Sequence, residues 1–152
     1  MRIARALPGD AATLTRIAYE AKRRWGYPEG WIERWADVLT LTADYIRSNP
    51  TYCAFVGEEI AGFGALRLNG AEAILDHVWV ATAHAGQGIG RSLFRRCEVA
   101  AKEAGASVLT VESDPHAEGF YRAMGARTVG RQPAPMDGVE RFLPLMKKEL
   151  TP

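Results

Sequence analysis

The chain has 152 residues, 47% hydrophobic and 24% charged, and this composition excludes disordered and collagen-like proteins. At this length we expect one domain over residues 1–152, whose core buries roughly 68–70% of the unfolded surface without disulfides or a structural metal. Lysines and arginines number 19 against 18 acidic residues, a net charge of +1, which does not indicate nonspecific binding to nucleic acid.

The cysteines and the N-terminal segment indicate the cellular setting. Cys53 and Cys97 form no CxxC pair and have no clustered histidines, so we predict neither a disulfide framework nor a metal site. Cys97 lies on the apolar stripe of a predicted helix, which favours a buried, unreactive thiol. Residues 1–14 lack the apolar run of a signal peptide, and no segment reaches the roughly 18 apolar residues of a membrane helix. We therefore predict a cytoplasmic protein with no membrane partner.

The first half of the chain predicts one strand, three helices and a β-hairpin. Apolar residues recur at helical spacing between Asp10 and Trp25, and Pro28 suits the first position of a second helix. Gly57 follows a β-rich run and marks the turn of the hairpin. The predicted elements are a strand at 2–6, helices at 10–25, 28–38 and 42–48, and strands at 51–56 and 60–68.

The second half continues with alternating strands and helices, which indicates an α/β layer fold around one sheet. The predicted elements are a strand at 73–80, a helix at 89–104, a strand at 107–112, a helix at 115–124, and strands near 127–130 and 139–147. Regular alternation in the first of these strands places Asp76 and Val78 on one face and His77 and Trp79 on the other.

Three glycines, Gly86, Gly88 and Gly90, alternate between a predicted strand and the helix that follows it. Without side chains, backbone N–H groups can turn toward one point at a helix N-terminus, where the helix dipole also favours negative charge. This pattern predicts a pyrophosphate cradle to which Arg91 and Ser92 add contacts, although it is neither a Walker loop nor GxGxxG. The alternative is a glycine-rich turn that only reverses the chain.

Two segments carry a family resemblance. Residues 78–92 are similar to the acetyl-CoA signature of the GNAT superfamily of N-acetyltransferases, and residues 114–126 resemble that family's second signature, a helix with Phe120-Tyr121. Residues 141–144 resemble the last strand of many members. Ala85 stands where the family usually has Arg or Gln, Thr82 replaces the usual Pro, and Asp114 takes the frequent Asn position.

The resemblance implies a single α/β (α+β) domain with a mixed, mostly antiparallel sheet of about six to seven strands flanked by helices. Two parallel central strands, at 73–80 and 107–112, are expected to splay apart around the pantetheine arm of acetyl-CoA, the co-substrate. A homodimer is also compatible with the family. The positions that match its cofactor-binding residues are Val78, Val80, Ala85, Gly86, Gln87, Gly88, Gly90, Arg91, Ser92, Asp114, Ala117, Phe120 and Tyr121.

The same resemblance implies catalytic roles. Tyr121 matches the tyrosine that donates a proton to the departing CoA thiolate, and its alternative role is packing in the core. A backbone N–H near Val78 would stabilise the oxyanion. For the base that deprotonates the attacking amine, Asp76 is the first candidate, His77 the second, and a water relay the third.

The aromatic residues Trp25, Tyr27 and Trp31, with Trp35 one turn further on, form an expected substrate-binding wall, because the first helices of the family generally enclose the acceptor. Aromatic rings beside carboxylates can hold a cationic amine. The alternative is ordinary helix packing with a solvated acidic face.

The overall expectation is an N-acetyltransferase that moves acetyl from acetyl-CoA to a primary amine of a small molecule or peptide in a ternary complex. The second hypothesis is a non-catalytic acyl-CoA-binding sensor or interaction module.

Overall fold

A computed structural model describes residues 1–151 and shows seven strands in one sheet. The spatial order is β1-β2-β3-β4-β5-β7-β6, and all neighbours are antiparallel except the parallel pair β4 and β5. The expected mixed sheet of six to seven strands is therefore confirmed. The strands are β1 (Arg2–Arg5), β2 (Thr51–Val56), β3 (Glu59–Asn69), β4 (Glu72–Val80), β5 (Val108–Glu112), β6 (Arg127–Pro133) and β7 (Phe142–Glu149).

The helices lie on both faces of this sheet. They are α1 (Ala11–Arg23), α2 (Glu29–Arg34), α3 (Ala36–Leu39), α4 (Ala43–Ser48), α5 (Ile89–Glu103) and α6 (Glu118–Ala123). The predicted helix at 28–38 is interrupted at Trp35, whose backbone leaves the helical region. Within residues 1–151 no helix combines the length and the apolar character that crossing a bilayer requires.

Each face of the sheet has its own core. Helices α1 to α4 cover one face, where Leu14, Ile17 and Phe63 are completely buried. Helices α5 and α6 cover the other face around Phe94 and Leu109. The amphipathic spacing of the two long helices predicted this division, because a helix with one apolar stripe must bury it against the sheet.

Helix α5 approaches the sheet closely because β3 has glycines where the two elements cross. A Cβ at Gly62 would lie 3.2 Å from side-chain carbons of Ile89 and Leu93 in α5 and 2.7 Å from the carbonyl oxygen of Trp79 in β4. A Cβ at Gly64 would lie 3.0 Å from Sγ of Cys97 in α5. Neither position has room for a side chain. This contact sets the height of the N-terminal end of α5 above the end of β4.

The parallel strands β4 and β5 separate after three paired residues. Their pairing runs from Glu72 with Val108 to Ile74 with Thr110, and both strands continue beyond that point without bonding to each other. The splay expected from the family resemblance is therefore present. It exposes the backbone edge of β4 from Leu75 onward.

A β-bulge at Asp76 lies just where the splay begins. Ala65 of β3 pairs with His77, but the next residue, Leu66, pairs with Leu75, so Asp76 is an extra residue in β4. The bulge reverses the alternation of side chains along the rest of the strand.

The expectation that Asp76 and His77 point to opposite faces is wrong for this reason. Both side chains meet Tyr45 of α4, since its hydroxyl donates to Asp76 and its ring packs edge-on against His77. Leu75 and Val78, three residues apart, pack in the same apolar cluster on the other face.

Candidate active site

The glycine loop forms a recess at the start of α5. Gly86 has φ of 78° and Gly88 has φ of 80°, a left-handed conformation that residues with a side chain rarely adopt. The helix begins after Gly88 with no side-chain cap, which leaves its first N–H groups for a ligand. A Cβ at Gly86 or Gly88 would meet no protein atom within 4 Å and would occupy the recess instead.

The recess has a volume of about 360 Å³ and suits a pyrophosphate. Gly90 is required for packing, because a Cβ there would come within 3.3 Å of the Phe120 ring. Gln87 and Ser92, which the sequence also suggested, do not line it. The residues that do are Val80, Ala85, Gly86, Gly88, Ile89, Gly90, Arg91, Phe120, Met124 and Arg24.

Arg24, at the end of α1, was not found from the sequence. It lines the recess together with Ala85, the position where the family usually has Arg or Gln. A helix about sixty residues away in the chain therefore brings a cation to the wall of the recess. Charge patterning could not reveal this placement, because Arg24 is one of three consecutive basic residues that begin at Lys22.

A second cavity, of about 670 Å³, lies in the splay between β4 and β5. Four predicted cofactor positions line it, namely Val78, Asp114, Ala117 and Tyr121. Asp76 and His77 line it as well. The recess and the cavity are adjacent, since Val80 and Phe120 of the recess are close in sequence to Val78 and Tyr121 of the cavity. A long ligand can therefore run along the open edge of β4 from one to the other.

Tyr121 lies between the two parts of the site. Its side chain is only 7% exposed and packs against the rings of Phe94 and Phe120, with centroids 6.2 and 5.1 Å away. Burial raises the pKa of Tyr121 above its ordinary value, so the phenol keeps its proton at neutral pH. We find no hydrogen-bond partner for its hydroxyl within residues 1–151.

Asp76 is held by two partners at the bulge. Its Oδ2 accepts from Nε of Arg67 at 2.7 Å and from the hydroxyl of Tyr45 at 2.6 Å. Burial and the hydrogen bond to this carboxylate raise the pKa of Tyr45. These contacts fix the orientation of the carboxylate. They use Oδ2, so Oδ1 is the oxygen left to contact a ligand in the cavity.

His77 is neutral and has one nitrogen occupied. Burial lowers its pKa to about 4, and Nδ1 accepts a hydrogen bond of 3.0 Å from the indole N–H of Trp79. The proton of the neutral ring is therefore on Nε2, which makes Nε2 a donor.

The aromatic cluster is arranged differently from a cage for a cationic substrate. Trp25 lines the cavity, together with Trp35, but Tyr27 and Trp31 do not. The rings instead face two cations of the chain itself. Nζ of Lys22 lies 4.3 Å from the ring centroid of Trp35, and the guanidinium of Arg141 lies over the same ring.

Asp114 joins this cluster to the second signature. It caps the turn at Pro115–Ala117 by accepting from the backbone N–H of His116, as the sequence predicted for a capping residue. It also accepts from Nζ of Lys22 at 2.7 Å and from the hydroxyl of Tyr27 at 2.9 Å. Burial alone would raise the pKa of Asp114, but Lys22 and the His116 donors hold it below its ordinary value.

Glu112 is a further acidic residue of the cavity that the sequence did not indicate. It is exposed at the end of β5 and, within residues 1–151, no basic side chain lies within 4.0 Å of its carboxylate. Glu112 lines the cavity because β4 and β5 splay apart, since a glutamate at the end of a fully paired strand would not face such a cavity. No local sequence pattern reports that geometry.

Both cysteines lie outside the site. Cys53 and Cys97 are fully buried as free thiols, and burial raises the pKa of each to about 12. The predicted inert thiol at Cys97 is confirmed. Neither sulfur lines the recess or the cavity.

The splayed sheet, the glycine recess and the adjoining cavity together form a candidate acyltransferase site. Residues 27–150 match the acetyltransferase (GNAT) domain family, and the chain belongs to that family. No curated protein matches the chain in sequence.

Solved structures share the whole architecture. A GCN5-related N-acetyltransferase from Rhodopseudomonas palustris is 25% identical, with 98% of this chain and 95% of that chain covered and a TM-score of 0.82. The paia N-acetyltransferase from Thermoplasma acidophilum, in complex with coenzyme A, is 20% identical over 97% and 98% of the two chains, with a TM-score of 0.75. The yncA protein from Salmonella typhimurium, with acetyl-CoA, is 19% identical over 100% and 95%, with a TM-score of 0.74.

Proposed function

We propose that this protein transfers an acetyl group from acetyl-CoA to a primary amine by direct attack in a ternary complex. The observation that carries the proposal is the continuous path along the open edge of β4. The recess at the start of α5 fits the pyrophosphate of CoA, and the cavity at the splay fits the reacting end with an acceptor. The relatives from Thermoplasma and Salmonella support this placement, since their structures contain coenzyme A and acetyl-CoA.

In the proposed reaction, the acceptor nitrogen attacks the thioester carbonyl, a C–N bond forms and the C–S bond breaks. A backbone N–H on the open edge near Val78 stabilises the oxyanion, an effect of roughly 3–4 kcal/mol for a well-placed donor. Tyr121 then donates its proton to the leaving sulfur, which yields the CoA thiol, and the proton that the amine nitrogen releases restores the phenol. Burial raises the pKa of Tyr121, so the phenol still carries its proton when the step begins.

The acceptor must lose a proton before it attacks. We propose Asp76 as the first candidate base, because it lines the cavity and the bulge holds it at the splay. His77 is a weaker candidate, because its acceptor nitrogen already binds Trp79. Glu112, which has no cation partner among residues 1–151, is the alternative across the cavity, and a water relay needs no dedicated base.

Direct attack is favoured over a cysteine-linked intermediate. A thiol nucleophile needs a lowered pKa and access to the thioester. Cys53 and Cys97 have raised pKa values and are buried away from the cavity. Direct attack in a ternary complex needs no cysteine nucleophile and is therefore compatible with this site.

The alternative is an acyl-CoA-binding module without turnover. Release of free CoA thiol from acetyl-CoA, measured over a panel of primary amines, distinguishes the two functions. Amine-dependent release with a mass increase of one acetyl group on the acceptor supports transfer. Tight acetyl-CoA binding with no amine-dependent release would support the module and refute transfer.

A further inference from the structure

The cavity contains a cation that has no anionic partner. Nη1 of Arg141 donates to the carbonyl oxygen of Ala134 at 3.2 Å and Nη2 donates to the hydroxyl of Tyr27 at 3.4 Å. Within residues 1–151 no carboxylate lies within 4.0 Å of this guanidinium. Two of its five N–H donors are used, and both acceptors are uncharged.

The other two cations of the cavity are already neutralised. Lys22 pairs with Asp114 at 2.7 Å, and Arg67 pairs with Asp76 at 2.7 Å. Among residues 1–151, the cavity's Asp37 and Glu112 have no basic partner within 4.0 Å, and Arg141 is its one cation without a carboxylate partner, so an unpaired positive charge remains at this part of the wall. Because Arg141 is half-buried, that charge is only partly solvated, and an anion from outside the chain would stabilise it.

Aromatic rings hold the guanidinium in place. Its central carbon lies 5.2, 5.3 and 5.4 Å from the ring centroids of Trp35, Tyr27 and Trp31, respectively. Ring faces attract the cation without using its N–H donors. The planar fork is thus immobilised before a ligand arrives, which reduces the entropy lost when a carboxylate binds to it.

The phosphates of CoA are not the natural partner of Arg141. Arg141 lines the cavity at the splay, whereas the cations of the glycine recess are Arg24 and Arg91. The cavity that contains Arg141 also contains Tyr121 and Asp76. An anion on Arg141 would therefore belong to the molecule that is acetylated.

We infer that the acceptor is a small amine that also carries a carboxylate, and that Arg141 binds this carboxylate. The inference rests on the proposed acetyl transfer. The ring of Trp35 is not free to attract a purely cationic acceptor such as a polyamine, because Lys22 and Arg141 already lie over it. The protein would select the carboxylate through two parallel, charge-assisted hydrogen bonds from the guanidinium of Arg141.

The test compares amino acids with the matching amines that lack the carboxylate. Suitable pairs are leucine with isoamylamine and phenylalanine with phenethylamine, with leucinamide and spermidine as further acceptors. For the wild-type protein we expect kcat/KM for the amino acids to exceed that for the matching amines by at least about 10-fold. Equal or better use of the amines would overturn the inference and leave acetyl transfer intact.

Two variants locate the effect. Arg141→Gln is expected to raise KM for the amino acids and remove the preference, whereas Arg141→Lys, which keeps the charge without the fork, should retain part of it. Arg34→Gln is the matched control, since Arg34 is a nearby exposed arginine paired with Asp137 and does not line the cavity. A preference that survives in Arg141→Gln would also overturn the inference.

A binding measurement separates this inference from the proposed function. Calorimetric titration of leucine into the protein saturated with CoA does not require turnover. Leucine binding that is lost in Arg141→Gln, without acetylation of any acceptor, would support the carboxylate site and refute acetyl transfer. Absence of both binding and preference in the wild-type protein would refute the carboxylate site.

Discussion

The indole N–H of Trp79 donates to Nδ1 of His77 across 3.0 Å, two residues away on the same strand. The bond uses the nitrogen with which a neutral histidine would accept a proton. Burial meanwhile lowers the pKa of His77 to about 4. His77 is therefore a neutral side chain that is hydrogen-bonded beside the cavity. Protonating it lowers the free energy of unfolding.

We expect His77 to make the fold sensitive to acid. The folded-state pKa of about 4 lies below the ordinary 6.5, so at pH between these values the unfolded chain binds a proton that the folded chain does not. As the pH falls from 6.5 to 4, this residue should lower the free energy of unfolding by about 3 kcal/mol. Urea unfolding gives the free energy of unfolding at each pH for the wild-type protein and for His77→Asn, whose side chain can still accept from Trp79. The two free energies should converge as the pH falls through this range. Parallel curves would contradict the prediction.

Gly88→Asp should abolish acetyl-CoA binding. The substitution places a Cβ and a negative charge in the recess, at a residue with φ of 80°. Calorimetric titration of acetyl-CoA measures the loss. Gly70→Asp is the matched control, because Gly70 has φ of 63° in a turn outside the recess. A folded Gly88→Asp protein with wild-type affinity would remove the assignment of the cradle.

Tyr121→Phe should lower turnover about 10²–10⁴-fold and leave acetyl-CoA affinity nearly unchanged. The variant keeps the ring that packs on Phe94 and Phe120 and removes only the hydroxyl. Steady-state kinetics with a substrate amine and titration of CoA give the two quantities. Unchanged turnover, with chemistry limiting the wild-type rate, would leave Tyr121 as a packing residue only.

Asp76→Asn should lower kcat steeply at neutral pH and be partly rescued at higher pH, where more of the acceptor amine is already deprotonated. Asn keeps the size of the side chain and can still accept from Arg67 and Tyr45. Glu112→Gln and His77→Asn are measured in parallel across the same pH range. If Glu112→Gln alone shows the rescue, the base is Glu112. If all three variants keep the wild-type profile, water removes the proton.

Patterns along the chain predicted most of the elements closely. The strand at 51–56 has the expected bounds, and the hairpin strand, β4 and α5 end within one or two residues of them. Local signals suffice there, because apolar periodicity and glycine turns depend on neighbouring residues. The break at Trp35 was missed because residues 33–37 contain no glycine or proline. The Trp35 ring packs edge-on against Tyr27 and Nζ of Lys22 lies over it, and these contacts come from tertiary structure.

The predicted cradle illustrates what sequence by itself determines. Gly86 and Gly88 directly before an amphipathic helix specify both a left-handed backbone conformation and an exposed helix N-terminus, and both are local properties. The family followed from the same segment together with the one at 114–126. Both signatures lie beside the open edge of β4, where the recess and the cavity are found.

Tertiary structure alone decided which side chains line the cavity at the splay. The bulge at Asp76 comes from the register of β4 against β3, and it turned two residues expected on opposite faces toward Tyr45. Lys22 and Arg141 are far apart in the chain, yet both lie on the ring of Trp35. A sequence pattern records residues a few positions apart, whereas the charge of a cavity is the sum over side chains brought together from distant elements.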